Sequence, residues 1–333
     1  MSNGSVGSIL VTGGAGYIGG HAVFALKDAG YDVTVLDDLS TGLSSAVPAD
    51  VRLVVGDIAD RHLISAVIAE EAIGAIMHFA GSIIVPESVS DPLKYYHNNS
   101  AKSRDLIATA VDCGVRHFVF SSTAAVYGEP AAVPINEDAP TAPINPYGVS
   151  KLMTEWMLRD VAAAHPLNYA VLRYFNVAGA DPEGRTGQST AGATHLIKVA
   201  SEVAAGKRPG IAVFGTDYPT RDGTAVRDYI HVADLAAAHV LALDHLIREP
   251  GENLTLNCGY GRGFTVSEVL DAVEAVTGTS VNRHHEGRRP GDPAALVADV
   301  DRIRSVLAWQ PRHDDLAQIV THALAWERKL GQP

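Results

Sequence analysis

The chain has 333 residues, 47% of them hydrophobic, and a formal net charge of −12. That length and composition describe a soluble globular protein of one large or two intimate domains with ample core. The acidic balance argues against nucleic-acid binding, so an anionic ligand needs a local basic cluster. No apolar run is long enough to span a bilayer. Cys113 and Cys258 are the only cysteines, far apart and without a Cys-x-x-Cys, which gives neither a disulfide framework nor zinc-site spacing and suits the cytoplasm. Met1 to Gly7 is polar and glycine-rich, lacks the basic and apolar regions of a signal peptide, and reads as a disordered lead-in.

Ser8 to Thr12 is a short apolar run closing on glycines, as a buried parallel strand does. Tyr17 to Ala29 has helical spacing, and Gly30 ends it. Further strands are predicted at 32–36, 51–55, 75–79, 117–120 and 169–172, alternating with helices at 61–71, about 93–113 and about 147–164. Such alternation predicts an α/β fold with a Rossmann-type doubly wound parallel sheet, here over 8–176. Beyond Asn176 the texture changes. Residues 180–192 read as loop, helices return at 193–205 and 232–246, and a glycine- and aspartate-rich stretch at 215–228 separates them. A strand at 254–257 and helices at 267–277 and 316–329 follow. These segments predict a smaller C-terminal α/β substrate-binding domain over 177–228 and 260–330, with the chain returning to the sheet domain at about 229–259. No internal repeat is present.

Gly13-x-x-Gly16-x-x-Gly19 follows the first strand and opens the first helix. Gly13 permits the tight turn, Gly16 lets backbone approach a pyrophosphate, and Gly19 lets helix pack on strand. The free N–H groups and positive dipole end of the helix then face the phosphates. Asp37, ending the second strand, is placed to accept from the adenosine ribose hydroxyls. A 2′-phosphate there would meet a like charge, so NAD is expected rather than NADP. Asp37 is also readable as a strand-end turn residue, a role open equally to Asp38. Asp57 and Ile58 follow the third strand, near the adenine; Phe79, Ala80 and Gly81 follow the fourth, where small residues let a strand end pass a cofactor.

Tyr147 and Lys151 stand at i and i+4, one turn apart on one helix face, behind Pro146. A nearby ammonium and a positive nicotinamide ring both favour the phenolate and are expected to lower the tyrosine pKa, giving a base near neutral pH. An exposed pair at a helix start is the plain alternative. The segment 120–128, Phe-Ser-Ser-Thr-Ala-Ala-Val-Tyr-Gly, brings hydroxyls to the carboxyl edge of the sheet, and Thr123 is the candidate to bond the reacting hydroxyl. Ser121 and Ser122 are also readable as turn residues.

Thr-Gly-Gly-Ala-Gly-Tyr-Ile-Gly, Phe-Ala-Gly, Ser-Ser-Thr-Ala-Ala-Val-Tyr-Gly, Pro-Tyr-Gly-Val-Ser-Lys, Leu-Arg-Tyr-Phe-Asn and Val-Arg-Asp-Tyr-Ile-His together resemble the extended short-chain dehydrogenase/reductase family, from about Ser8 to Lys329. Within it the chain is most similar to the UDP-hexose 4-epimerases. The resemblance implies a tightly bound NAD, Tyr147 as base, Thr123 as orienting hydroxyl and Lys151 as ribose anchor. The expected reaction is C4 epimerisation between UDP-galactose and UDP-glucose through a 4-keto sugar. The resemblance adds Tyr17, Ile18, Asn98, Ser121 and Tyr174 to the cofactor set. It implies a nucleotide-sugar site of Asn176, His195, Leu196, Phe214, Arg227, Arg289, Asp292 and Leu296, with Thr123 and Tyr147 reaching the sugar. Two arginines suit a diphosphate in an acidic protein. The same doublet at 288–289 is readable as a solvated loop, and Arg227-Asp228 as a structural ion pair. A nucleotide-sugar dehydratase would need an acid–base pair after Thr123, where this chain has Ala124-Ala125.

Departures from the resemblance carry expectations of their own. His195 stands where many relatives have asparagine, so its charge is expected to vary with pH. Leu296 borders the sugar C2 substituent at a position that is a large tyrosine in some relatives, which predicts some turnover of UDP-N-acetylhexosamines. His284-His285 has no third ligand at useful spacing and reads as a solvated loop, so no metal is expected. Relatives pair through the two helices at 93–113 and 147–164, which implies a homodimer.

Overall fold

The computed structural model describes residues 6–190, 192–289 and 292–331, which divide into two compact units. The first comprises residues up to Tyr127, Thr141–Arg173 and Ala236–Leu256; the second comprises Gly128–Pro140, Tyr174–Leu235 and the remainder from Asn257.

In chain order the first unit runs β1 (Ser8–Thr12), α1 (Tyr17–Asp28), β2 (Val33–Asp37), β3 (Arg52–Val55), α2 (Arg61–Glu70), β4 (Ile73–His78), α3 (Val85–Ser90), α4 (Pro92–Tyr95), α5 (Lys102–Asp112), β5 (His117–Thr123), α6 (Pro146–Ala164) and β6 (Asn168–Tyr174). The second carries β7 (Asn176–Ala178), α7 (Leu196–Ala204), β8 (Ile211–Phe214) and β9 (Val226–His231). Helix α8 (Val232–Arg248) and strand β10 (Leu254–Cys258) carry the chain through the first unit again. Then come β11 (Gly263–Thr265), α9 (Val266–Thr277), β12 (Arg283–Glu286), β13 (Ala295–Leu296), α10 (Asp301–Leu307) and α11 (Leu316–Lys329).

A seven-stranded sheet has the order β10-β6-β5-β4-β1-β2-β3, with β3/β2, β2/β1, β1/β4 and β4/β5 parallel. The order reverses between β1 and β4, and ligands of doubly wound sheets sit outside the carboxyl ends of strands at such a point. Leu10, Leu36, Ile76, Phe118 and Val171 bury fully between sheet and helices, the near-continuous apolar strand pattern of a sheet covered on both faces. In the second unit β11-β9-β13 form a sheet with β7 also on β9, and β12 pairs with β8.

Three local readings of the sequence change. The helix expected over 93–113 is broken by a π-helical turn at Tyr96–Ala101, the kind of extra-residue turn found at functional sites. The stretch 215–228 ends inside β9, whose residues are all buried, so packing overrides its polar composition. His284 and His285 lie on exposed strand β12, paired to Ala212 and Val213, rather than in a loop.

Candidate active site

At the switch point Gly13 takes φ +73°. A Cβ there would lie 2.6 Å from Ala80 N, and one on Gly19 would lie 2.2 Å from Gly13 O, so both turns hold backbone against backbone. Gly16 is the N-cap of α1, with no side chain capping the helix, and a Cβ on it would meet only Gly13 O, at 3.2 Å. The first turn, opened by Tyr17 and Ile18, is thus not capped by the side chain of its N-cap residue. Asp37 accepts from Ala15 N–H and Leu39 N–H, each at 2.9 Å. Those bonds lock the turn and use only part of a carboxylate's acceptor capacity. Burial raises the Asp37 carboxyl and the two N–H groups pull it back. Asp38 accepts from Ser40 N–H at 2.9 Å and is the turn-forming neighbour. Asp57 is paired with Lys102 at 2.6 Å and accepts from Ala59 N–H at 2.9 Å, beside buried Ile58.

The end of β4 is tied back by Phe79 N–H and Ala80 N–H, both donating to Thr12 O. The Phe79 ring packs against His239 of α8, centroids 4.8 Å apart. A Cβ on Gly81 would come 2.9 Å from Asn99 Oδ1 and 3.8 Å from Lys151 Nζ. Asn99, on the π turn, accepts from Ser82 N–H at 2.7 Å and donates to Ser82 O at 2.9 Å and Ser150 Oγ at 3.0 Å. Asn98 donates to Ser82 Oγ at 3.1 Å.

Helix α6 starts under a side-chain cap: Asn145 Oδ1 accepts from Gly148 N–H at 2.9 Å, with Pro146 in the first turn. Gly148 lets that turn press on the chain after β5, where a Cβ would lie 2.6 Å from Ala125 O. This close packing brings the Thr123 hydroxyl into a hydrogen bond with the Tyr147 phenol. Thr123 Oγ1 also accepts from Ala125 N–H at 3.1 Å. Lys151 is 2% exposed, donates to Ser121 O at 3.0 Å and lies 5.0 Å from the Phe120 ring centre. Tyr95 meets the Tyr147 ring edge-on at 6.4 Å. Burial pushes the Lys151 ammonium down to about 8, with Glu155 opposing the fall. Burial raises the Tyr147 phenol above its ordinary value, and the Thr123 hydroxyl moderates the rise.

The second unit gathers the remaining candidates around β9 and β8. Arg227 of β9 pairs with Asp292 and donates to Val226 O at 2.7 Å. The reading of Arg227-Asp228 as an ion pair is thereby overturned. Asp228 instead accepts from Tyr260, Gly261 and Ala298 N–H groups at 2.9, 2.9 and 3.2 Å, because successive strand residues face opposite sides. Asp292 N–H donates to Arg289 O at 3.3 Å, and the Arg289 guanidinium stacks 3.7 Å from the Phe214 ring centre. Tyr218 hydroxyl donates to Asp292 O at 3.3 Å while Arg288 covers the Tyr218 ring at 4.3 Å. Leu296 pairs in register with Arg227, and Asn176 with Tyr229. Tyr174 closes β6. His195 caps the start of α7, ahead of Leu196, with Gln188 Nε2 at 3.5 Å from Nδ1. Desolvation holds its imidazole below the ordinary value.

Residues 9–259 match the model of the NAD dependent epimerase/dehydratase family. The chain belongs to that family. A UDP-glucose 4-epimerase of Azospirillum brasilense is 60% identical over 324 residues, 97% of this chain and 93% of the relative. The structure of UDP-glucose-4-epimerase from Stenotrophomonas maltophila with bound NAD and formylated UDP-arabinopyranose is similar with TM-score 0.94 at 41% identity, over 98% of this chain and 99% of that one. The UDP-glucose 4-epimerase from Bifidobacterium longum in complex with NAD+ and UDP gives TM-score 0.92 at 38% identity, over 97% and 98%.

The first unit fits NAD on its own geometry. The uncapped α1 N-terminus beside Gly16 accommodates a pyrophosphate, and the carboxylate at the end of β2 suits an unphosphorylated ribose. Two residues, Asn99 in the first unit and Tyr218 in the second, carried no motif signal. Asn99 is hidden in a doublet with Asn98, and Tyr218 is a lone aromatic in a loop-like stretch. Glu155, four residues past Lys151, had a signal in its spacing alone. Among the described residues no group of three or more His, Cys, Asp or Glu is placed to hold a metal ion.

Proposed function

We propose that this chain interconverts UDP-galactose and UDP-glucose by epimerisation at C4, with NAD held through the cycle. The observation that carries the reading is the buried set Thr123, Tyr147 and Lys151 at the carboxyl edge of the sheet, followed directly by Ala124 and Ala125. Bound NAD supplies the hydride acceptor and donor at C4 and a positive ring charge that favours the phenolate. Tyr147 takes the proton from the sugar O4 and returns it after the 4-keto sugar has presented its other face. Thr123, already hydrogen-bonded to the phenol, orients the same oxygen. Lys151 anchors the ribose and supplies positive charge on the helix face that carries Tyr147. Neither alanine is able to move a proton, so elimination of water from C5 and C6 has no acid or base in that segment. This disfavours a dehydratase.

In the second unit, Arg227 and Arg289 are read as the diphosphate and ribose contacts, with Asp292 orienting Arg227, Phe214 beside the uracil, and Asn176, His195 and Leu196 lining the nucleotide sugar. Leu296, smaller than tyrosine, leaves room for an N-acetyl group at C2. A homodimer is supported by exposed apolar side chains on neighbouring helices of the first unit: Met153 and Trp156 on α6, Val89 on α3 and Leu93 on α4. Among the described residues no helix is long and apolar enough to cross a membrane. We place the enzyme in cytoplasmic galactose metabolism.

The test is turnover of UDP-galactose by purified protein without added NAD, products resolved by chromatography. UDP-glucose rising to an equilibrium mixture is expected. A keto-deoxy sugar product would sink the reading.

A further inference from the structure

We propose that Glu155 is a positioning residue for this reaction, gripping β5 behind Thr123 and sustaining the positive charge of Lys151 from one helical turn away. The proposal rests on the epimerase reading above. Glu155 stands four residues after Lys151, on the same face of α6. It is 7% exposed, inside the first unit. Ser122, the residue before Thr123, donates its hydroxyl to Glu155 Oε1. Arg173 of β6 meets both carboxylate oxygens: Nε lies 3.1 and 3.2 Å from them, and Nη2 donates to Oε2 at 2.6 Å. Its remaining Nη1 donates to Tyr127 hydroxyl at 3.0 Å. One carboxylate thus ties α6 to the end of β5, the two elements that carry Tyr147 and Thr123, and to β6.

Buried ion pairs are costly for stability, and apolar residues often replace them without loss. A buried pair one helical turn from a reacting set therefore points to a use for its charge. Lys151 is disfavoured as a cation by its own burial, and Glu155 is the group that opposes this. The other ionisable groups facing this region are Tyr147 on the same helix, Tyr95 edge-on to it, His78 on β4, Arg173 and Tyr169 on β6, and Tyr127 bonded to Arg173. His78 is pressed down to about 3 by burial and so is neutral, bridging Thr12 and Ser103. The Arg173 guanidinium is turned to Glu155 and Tyr127. Without the carboxylate, the ammonium loses its proton at lower pH, and with it go the ribose anchor and the field favouring the phenolate.

The experiment is the pH profile of kcat for UDP-galactose, with retained NAD and melting midpoint measured alongside, for wild type, Glu155→Gln, Glu155→Asp and Glu155→Gln/Arg173→Met. Loss of the carboxylate is expected to move the alkaline limb to lower pH by roughly one unit. Glu155→Asp keeps the charge and is expected to restore the limb. The double variant leaves no unpaired buried charge, so it carries the test if Glu155→Gln fails to fold, and it shares the shift. An unmoved limb in the double variant, whatever its melting midpoint, reduces Glu155 to a structural role and overturns the proposal. Absence of turnover in wild type sinks the epimerase reading itself, and this inference with it.

Discussion

Tyr147→Phe separates chemistry from packing, because the substitution removes one oxygen and leaves the ring in place. The phenol is buried and its hydrogen-bond partner is Thr123, which keeps its bond from Ala125 N–H when the phenol is gone. The Thr123 hydroxyl proton loses its acceptor, so the stability cost is that of one buried donor left unsatisfied, about 1–3 kcal/mol. The edge-on contact with Tyr95 persists, since it is made by the ring. Loss of a general base costs about 10²–10⁴ in rate, which is about 3–5 kcal/mol of barrier. The variant is therefore expected to melt within a few degrees of wild type and to retain NAD on denaturing extraction. Its kcat for UDP-galactose falls by at least 10²-fold on the same estimate. The assay couples chromatographic turnover with cofactor release and thermal melting on one preparation. A kcat within threefold of wild type would refute the assignment of the proton to Tyr147.

Gly19→Ala is expected to abolish NAD retention or folding, since its Cβ would sit 2.2 Å from a backbone oxygen that has no way to yield; an ordinary melting curve with bound NAD contradicts the cradle described for α1. Leu296→Tyr is expected to remove turnover of UDP-N-acetylglucosamine and UDP-N-acetylgalactosamine while sparing the unmodified sugars; absence of N-acetyl turnover in wild type at high enzyme concentration ends that idea. Trp156→Glu places a charge on the apolar face of α6 and is expected to convert a dimer to a monomer in sedimentation. An unchanged mass would move the interface elsewhere.

Periodicity made the sheet domain legible. Apolar runs at Ser8–Thr12 and His117–Phe120, alternating with helical spacing, left few ways to bury both faces of a sheet. The cradle was legible because Gly13 and Gly19 are each demanded by a local backbone contact, and Gly16 falls at the matching spacing between them. The second unit was harder. Strands β7, β8, β11 and β13 are two to four residues long, too short for a period to register, and β12 is exposed. Their existence depends on pairing partners distant in sequence, as Leu296 depends on Arg227. The burial that raises the Tyr147 phenol is illegible for the same reason: charge neighbours can be counted from a sequence, whereas desolvation depends on what closes over the phenol.

The sequence by itself determined the chemistry on offer: a dinucleotide turn, a tyrosine and lysine on one helix face, a strand-end threonine, and alanines where a dehydratase needs acid and base. Only the tertiary structure decided how those groups are poised. It set Thr123 against Tyr147, buried Lys151 to about 8, and put the Glu155–Arg173 pair beneath them. Residue identity fixes which protons exist. Burial and long-range partners, which no local pattern encodes, fix where each proton resides.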